Sequence, residues 1–293
     1  MSDDIAKEVV SIIQRYTPGK PGVTAKALRE LWLGFAPNRG MELIKAEQRE
    51  RLEAVGIPAP ILKAIGNEIA RVARQDVRGF VPLAQLLWDE HGREGHVVAL
   101  VMFGAMELVE PERVVPLLKD LCGRCISWED ADRLAMDALE PIVRKHPDKW
   151  LTEIAVWLND QNKWLRRASV TVIGRLPMRH PTYVSQCLEF TKQLLFDTDT
   201  DVRRAVSFAI RLCAKVDAEL VFAFLREQVP ASNPAAVWVL CDVIKSMDRK
   251  TKAAFSPLLP RYKEWSAATD LSSKDRRSIE SAIEVLQALW GSA

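Results

Sequence analysis

The chain has 293 residues, 48% of them hydrophobic, enough to bury a substantial core in one extended domain or two compact ones. Its formal net charge of +2 neither demands nor excludes a nucleic-acid partner, so any DNA-binding surface must come from charge segregated onto one face. The opening stretch, MSDDIAKEVVSIIQRY, has acids where a secretion signal needs bases, and nowhere is there an apolar run long enough to span a bilayer. We therefore expect a soluble cytosolic protein with no membrane contact, acting as a monomer.

Taken in chain order, the periodicity is helical. Asp3 to Arg15, Thr24 to Phe35, Pro60 to Arg74 and Phe80 to Glu90 place apolar residues three and four apart, and further such segments follow to Trp290. Pro18-Gly19, Pro37, Gly56, Gly92, Pro111, Pro147, Pro181 and Pro234 punctuate them. Alternation of period two bounded by hairpin turns is absent, so the expected class is all-α. The five cysteines are scattered. Cys122 and Cys125 form the one close pair, without the second pair or histidines that a zinc site needs; they read as partly buried thiols at a helix end, and no cofactor or metal is expected.

A repeat is visible in the second half. Asp160-Gln-Asn-Lys-Trp-Leu-Arg-Arg-Ala-Ser169 is echoed by Asp199-Thr-Asp-Val-Arg-Arg-Ala-Val206, and Arg167 falls on Arg204 after a shift of 204 − 167 = 37 positions. An acid at a helix start, an apolar residue, two arginines and an alanine suit the second helix of a HEAT-like pair. The acid caps free N–H groups, alanine lets helices approach, and arginine can pair with acids of the next repeat. Such stacks curve, which predicts a solenoid with a concave face suited to an elongated partner. Residues 1–50 are expected to be a helical extension and 51–293 the solenoid.

Three stretches together resemble the AlkD family of DNA alkylation repair enzymes, over roughly residues 50 to 220. The first is Val55-Gly-Ile-Pro-Ala-Pro60, followed by Leu87-Trp88-Asp89 and Arg93-Glu94. The second is Ser127-Trp128-Glu129-Asp130-Ala131-Asp132, then Lys145-His146-Pro147. The third is Asn162-Lys-Trp-Leu-Arg-Arg-Ala168, then Arg204-Ala-Val-Ser-Phe208 with Arg211. The resemblance implies a glycosylase that removes N3- and N7-alkylated purines from duplex DNA, with no cofactor. Such a base is already cationic and leaves without a general acid. The protein must then stabilise positive charge on the sugar and position a water. By resemblance, Asp132 faces the oxocarbenium ion, Trp128 and Phe208 pack on the deoxyribose, Arg167 grips the backbone, and Lys163, Arg204 and Arg211 complete the DNA-facing set. Phe208 stands where active members carry tryptophan.

The residues alone leave other roles open. Trp128 and Asp132 share a helix face at a spacing of four, yet an aspartate near a helix start also serves as a cap, and a tryptophan as core. Arg166 and Arg203 are candidates for a structural ladder between repeats, with Arg167 and Arg204 facing DNA. Trp88, Trp150 and Trp157 read as core, His146 as a cation at a helix end, and Arg249-Lys250-Thr251-Lys252 as a solvated turn. Two other functions fit the same pattern: a HEAT-like paralogue that binds DNA without excising anything, and a protein–protein scaffold.

Overall fold

The computed structural model describes residues 2–36, 55–106, 108–228, 234–247 and 272–288, with short pieces at 263–264 and 266–267. Pro37 and the Arg249–Lys252 run lie outside the described residues. All regular structure among the described residues is helical, and no helix there is long and apolar enough to cross a membrane. The chain forms two compact units.

The first unit comprises Met1–Asp120 and Asp137–Ile142. Its helices are α1 (Ser2–Ile13), α2 (Pro21–Leu33), α3 (Ala59–Ala73), α4 (Val77–Glu90), α5 (Gly92–Met106) and α6 (Pro111–Gly123), whose end passes into the second unit. The periodic apolar positions face inward: Ile5, Val9 and Ile13 on α1, Leu28 and Trp32 on α2, and Ile65 and Ile69 on α3 are all buried. α1 packs on α3, α2 on α4, and α3 and α4 both pack on α5. α4 starts three residues before the periodicity predicts, because Asp76 caps it by accepting a hydrogen bond from the Gly79 N–H at 2.9 Å. The N-terminal helices are fastened to α4 by Tyr16. Its hydroxyl donates to the Gly79 carbonyl at 2.6 Å and its ring lies 4.6 Å from that of Phe80. Burial, and then the Asp76 charge, push the Tyr16 pKa up to about 12.

The first family-like motif proves to be a turn held by one carboxylate. Glu94, almost fully buried, accepts from the backbone N–H groups of Val55, Gly56 and Ile57 at 3.2, 2.9 and 3.3 Å through a single oxygen. Gly56 has φ of 92°, which glycine adopts at little cost.

The second unit, Leu121–Met136 with Val143–Ala293, carries the repeat. A first continuous helical run, of which Asp137–Ile142 belongs to the first unit, consists of α7 (Trp128–Arg133), a π-helical stretch (Leu134–Leu139) and α8 (Glu140–Lys145). Next come α9 (Pro147–Ala155), α10 (Lys163–Arg175), α11 (Val184–Lys192), α12 (Thr200–Val216), α13 (Ala218–Gln228), α14 (Pro234–Lys245) and α15 (Ser273–Ala288). Side chains cap the repeat helices at matching places. Ser127 accepts from Asp130 N–H at 3.2 Å, Asn162 from Trp164 N–H at 2.9 Å, and Asp199 from Asp201 and Val202 N–H at 2.8 and 3.3 Å. The repeat legible at Asn162 and Asp199 therefore begins one unit earlier, at Ser127. α10 and α12 approach so closely that a Cβ on Gly174 would lie 2.4 Å from the Cα of Ala209, so only glycine fits. Trp150 and Trp157 are buried here, as Trp88 is in the first unit, all as core.

Candidate functional site

α7 and α10 pack side by side in the second unit and bring Trp128, Asp132 and Arg167 together. The Arg167 guanidinium donates to Asp132 as a fork, Nε to Oδ1 at 2.8 Å and Nη2 to Oδ2 at 2.6 Å. Its remaining nitrogen, Nη1, donates to the Asp201 carbonyl at the start of α12. Thr171, one turn beyond Arg167, adds a weaker donation to Asp132 Oδ1 at 3.4 Å. A parallel fork of this kind fixes carboxylate orientation as well as adding energy.

The exposures divide the cluster. The Arg167 side chain is 7% exposed and that of Asp132 16%. Trp128 stands 50% exposed, with the Arg167 guanidinium 5.6 Å from its ring centre. Trp128 is therefore not a core residue. A half-exposed tryptophan beside a cation leaves part of its aromatic face open to a ligand. Nor is Asp132 the helix cap. That work falls to Ser127 and Asp130, where Ser127 Oγ also donates to Asp130 Oδ2 at 2.7 Å. The π-helical stretch follows directly after Arg133; such widened turns often accompany functional sites.

Lys163 lies 4.3 Å from the centre of the Trp164 ring, and its ammonium pairs with Asp199 at 3.3 Å and Asp201 at 3.0 Å. The Asp201 hydrogen bond is the main cause holding its pKa above the usual lysine value. Arg204 is exposed and forms no hydrogen bond or ion pair with a described residue. Arg211 is paired with Asp242 at 3.4 Å, and Ser207 donates to the same carboxylate. Phe208 is half-buried and does not join the Trp128 cluster. It lines a cavity of about 440 Å³ with Arg211, Leu212, Lys215, Ser246 and Met247.

Arg166 takes the ladder role. It forks onto Asp197 at 2.7 and 3.2 Å and donates to the carbonyls of Asp160 and Gln161 at 2.9 Å. Arg203 is likewise buried, 5.6 Å from the ring centre of Trp238. Sequence reasoning missed Thr171, for which the spacing of four after Arg167 was the available signal, and named Glu94 within its motif without a role. His146 is exposed and stands at the N-cap position of α9. Cys122 and Cys125 are both buried, and burial, then the Asp130 charge, push the Cys125 thiol up to about 12. Among the described residues no group of three or more His, Cys, Asp or Glu is placed to hold a metal ion.

Comparison with known proteins bears on the family and the fold. The sequence profile of the family described as DNA alkylation repair enzyme matches residues 37–238. Two solved structures share the helical-repeat fold. One is Smu.31 from Streptococcus mutans UA159, 20% identical with a TM-score of 0.53 over 62% of this chain and 92% of that one. The other is AlkD2 from Streptococcus mutans, 20% identical with a TM-score of 0.54 over 62% and 89%. No curated protein sequence matches the chain.

Proposed function

Because the chain belongs to the DNA alkylation repair enzyme family, we propose that it hydrolyses the N-glycosidic bond of N3- and N7-alkylated purines in duplex DNA. The observation that carries this reading is Asp132, locked by the Arg167 fork beside the half-exposed Trp128. A cationic purine is a good leaving group, so the residues need only favour positive charge on the deoxyribose and hold an attacking water.

The ion pair does not silence the carboxylate. A sugar cation about 3 Å from the open face of the Asp132 carboxylate would sit roughly 5 Å from the guanidinium, and since attraction falls as the inverse of distance, about two-fifths of it survives. Arg167 thereby acts as a positioning residue: it fixes where that charge sits without reaching the sugar. Trp128 supplies an aromatic face for the sugar, and the exposed Arg204 a cation for the backbone.

A second reading has its own support. Both oxygens of Asp132 already accept hydrogen bonds, and Phe208 lies outside the cluster. These features favour a protein that binds duplex DNA without cutting a bond. Base release from duplexes carrying N7-methylguanine or 3-methyladenine separates the two. We expect release by the wild type and a loss of about 10²-fold or more in Asp132→Asn, the scale for removing one electrostatic stabiliser of a transition state. DNA affinity should hold or rise, since a negative charge near phosphates is gone. Wild-type binding without release would favour the second reading, and equal loss of binding and release would make Asp132 purely structural.

A further inference from the structure

Several helices of the second unit end in cations. The end of the helical run through α8 carries Arg144 and Lys145, and the last turns of α10, α12 and α14 carry Arg175, Lys215 and Lys245. Cations at helix C-termini commonly offset the helix dipole. That effect would act on every helix, yet α1, α2, α4, α5, α6, α9 and α15 have no base in the last turn. Arg71 on α3 and Lys192 on α11 do occur there, but each is paired with an acid, Glu68 and Glu227 respectively.

These last-turn cations share one edge because the repeat helices run parallel, while Lys163, Arg166, Arg167, Arg203 and Arg204 lie near the helix starts. Near their starts, Asp132 meets Arg167 and Lys163 meets Asp201. Near their ends, Arg175 Nη1 lies 3.5 Å from Met136 Sδ, the His180 ring is 2.8 Å from the Arg144 carbonyl, and Lys245 donates to Ser281 at 3.3 Å. Asp160, Asp197, Asp199 and Asp201 sit at the opposite edge, by the helix starts.

Two cations at this edge are exposed and unpaired, and a third, Arg175, is half-buried with only a weak partner. Arg179, just past α10, and Lys215 are exposed, and their side chains form no hydrogen bond or ion pair with a described residue. Arg175 Nε is buried with no hydrogen-bond partner, and Nη1 reaches only a thioether, a weak acceptor. The acids nearby are engaged elsewhere. Asp148 accepts from the Tyr183 hydroxyl, Asp217 from Leu220 N–H, and Asp242 from Ser207 beside Arg211.

We propose that this edge is a phosphate track on which Arg175, Arg179 and Lys215 hold the backbone of one DNA strand, independent of its sequence. The inference rests on the duplex-DNA reading and deepens it. Packed helices lie about 8–10 Å apart, so the ends of α10 and α12 are close enough to meet nearby phosphates of one strand. Arg167 is 7% exposed, with all three of its nitrogens bonded within the protein, whereas the cations eight and twelve residues further along are more exposed.

The test is fluorescence-polarisation binding of an undamaged duplex across a salt series, with the Arg175→Gln/Arg179→Gln/Lys215→Gln variant beside wild type. We expect at least a tenfold weaker complex at low salt. The slope of log affinity against log salt should become shallower by about 0.9 for each phosphate no longer neutralised. Lys192→Gln, on α11 and away from the track, should change neither. Because Arg175 is half-buried, the Arg179→Gln/Lys215→Gln pair provides a version that alters only exposed side chains and should melt as wild type does. A folded double variant with wild-type affinity and slope overturns the track while leaving the DNA reading intact. A wild type with no affinity for duplex overturns both.

Discussion

The two flanks of α10 use arginine differently. On the flank facing the α11–α12 loop, Arg166 is saturated: two nitrogens fork onto Asp197 and the third bridges two carbonyls. Its partner Asp197 is 6% exposed, and no exposed aromatic is among the hydrogen-bond and ion-pair partners of either side chain. On the flank facing α7, Arg167 makes the same fork onto Asp132, but there the carboxylate keeps a window to solvent and a half-exposed indole stands over the guanidinium. Equal chemistry thus serves two ends. The first pair ties one repeat to the next, and the second holds a charge where something outside the protein can meet it.

The sharpest way to break that contrast is to remove each pair in turn. Arg166→Ala strands a buried carboxylate and should cost about 3–5 kcal/mol of stability in denaturant unfolding, with base release per folded molecule retained. A cost under about 1 kcal/mol would mean the ladder is ordinary surface pairing. Asp132→Asn keeps the side chain's shape but leaves the buried Arg167 cation unpaired, so it should also lower stability. Its distinguishing mark is a loss of about 10²-fold or more in single-turnover release per folded molecule. If Asp132→Asn instead unfolds the protein while Arg166→Ala leaves it stable, the assignment of the two flanks is reversed.

A smaller effect separates arginines that resemble each other in sequence. Arg167 and Arg204 align in the repeat, yet the first is buried and engaged and the second is exposed. Arg204→Ala should shallow the salt dependence of duplex binding by about 0.9, the share of one phosphate. Arg167→Ala should leave that slope unchanged and lower the melting temperature instead. Equal slope changes in both would return Arg167 to the backbone-gripping role that the resemblance implies.

The all-α class, the repeat and the Arg166 ladder were legible because each has a local signature: period 3.6, a cap before the helix, and an Arg-Arg-Ala echo. The helix starts at Val77 and Pro21 were less so, since a cap at Asp76 or a proline at the first position extends a helix past its periodic stripe. What joins elements was invisible. Nothing in the order of residues says that Glu94 will gather three N–H groups from a turn 37 to 39 residues earlier. The face shared by Trp128 and Asp132 was legible from their spacing. That Arg167 would turn inward to that face depends on how close α7 and α10 come, which tertiary packing decides. The π-helical stretch has no composition cue either.

The last contrast lies between two aromatic residues, Trp128 in its cluster and Phe208 outside it. Phenylalanine presents a smaller and less electron-rich face than tryptophan, and cation–π attraction at a partly exposed site differs by about 0.5–1 kcal/mol. That difference corresponds to about two- to fivefold in rate. Inserting a larger ring into a packed core would cost about 1–3 kcal/mol, but Phe208 borders a cavity of about 440 Å³, which can take the extra ring without displacing its neighbours. Phe208→Trp should therefore melt within a degree or two of wild type. If this ring reaches the sugar opposite Trp128, single-turnover release of N7-methylguanine should rise about two- to fivefold in Phe208→Trp and fall below wild type in Phe208→Ala. Should both variants stay folded and release base at the wild-type rate, Phe208 belongs to the wall of its own cavity, and sugar packing rests on Trp128 alone.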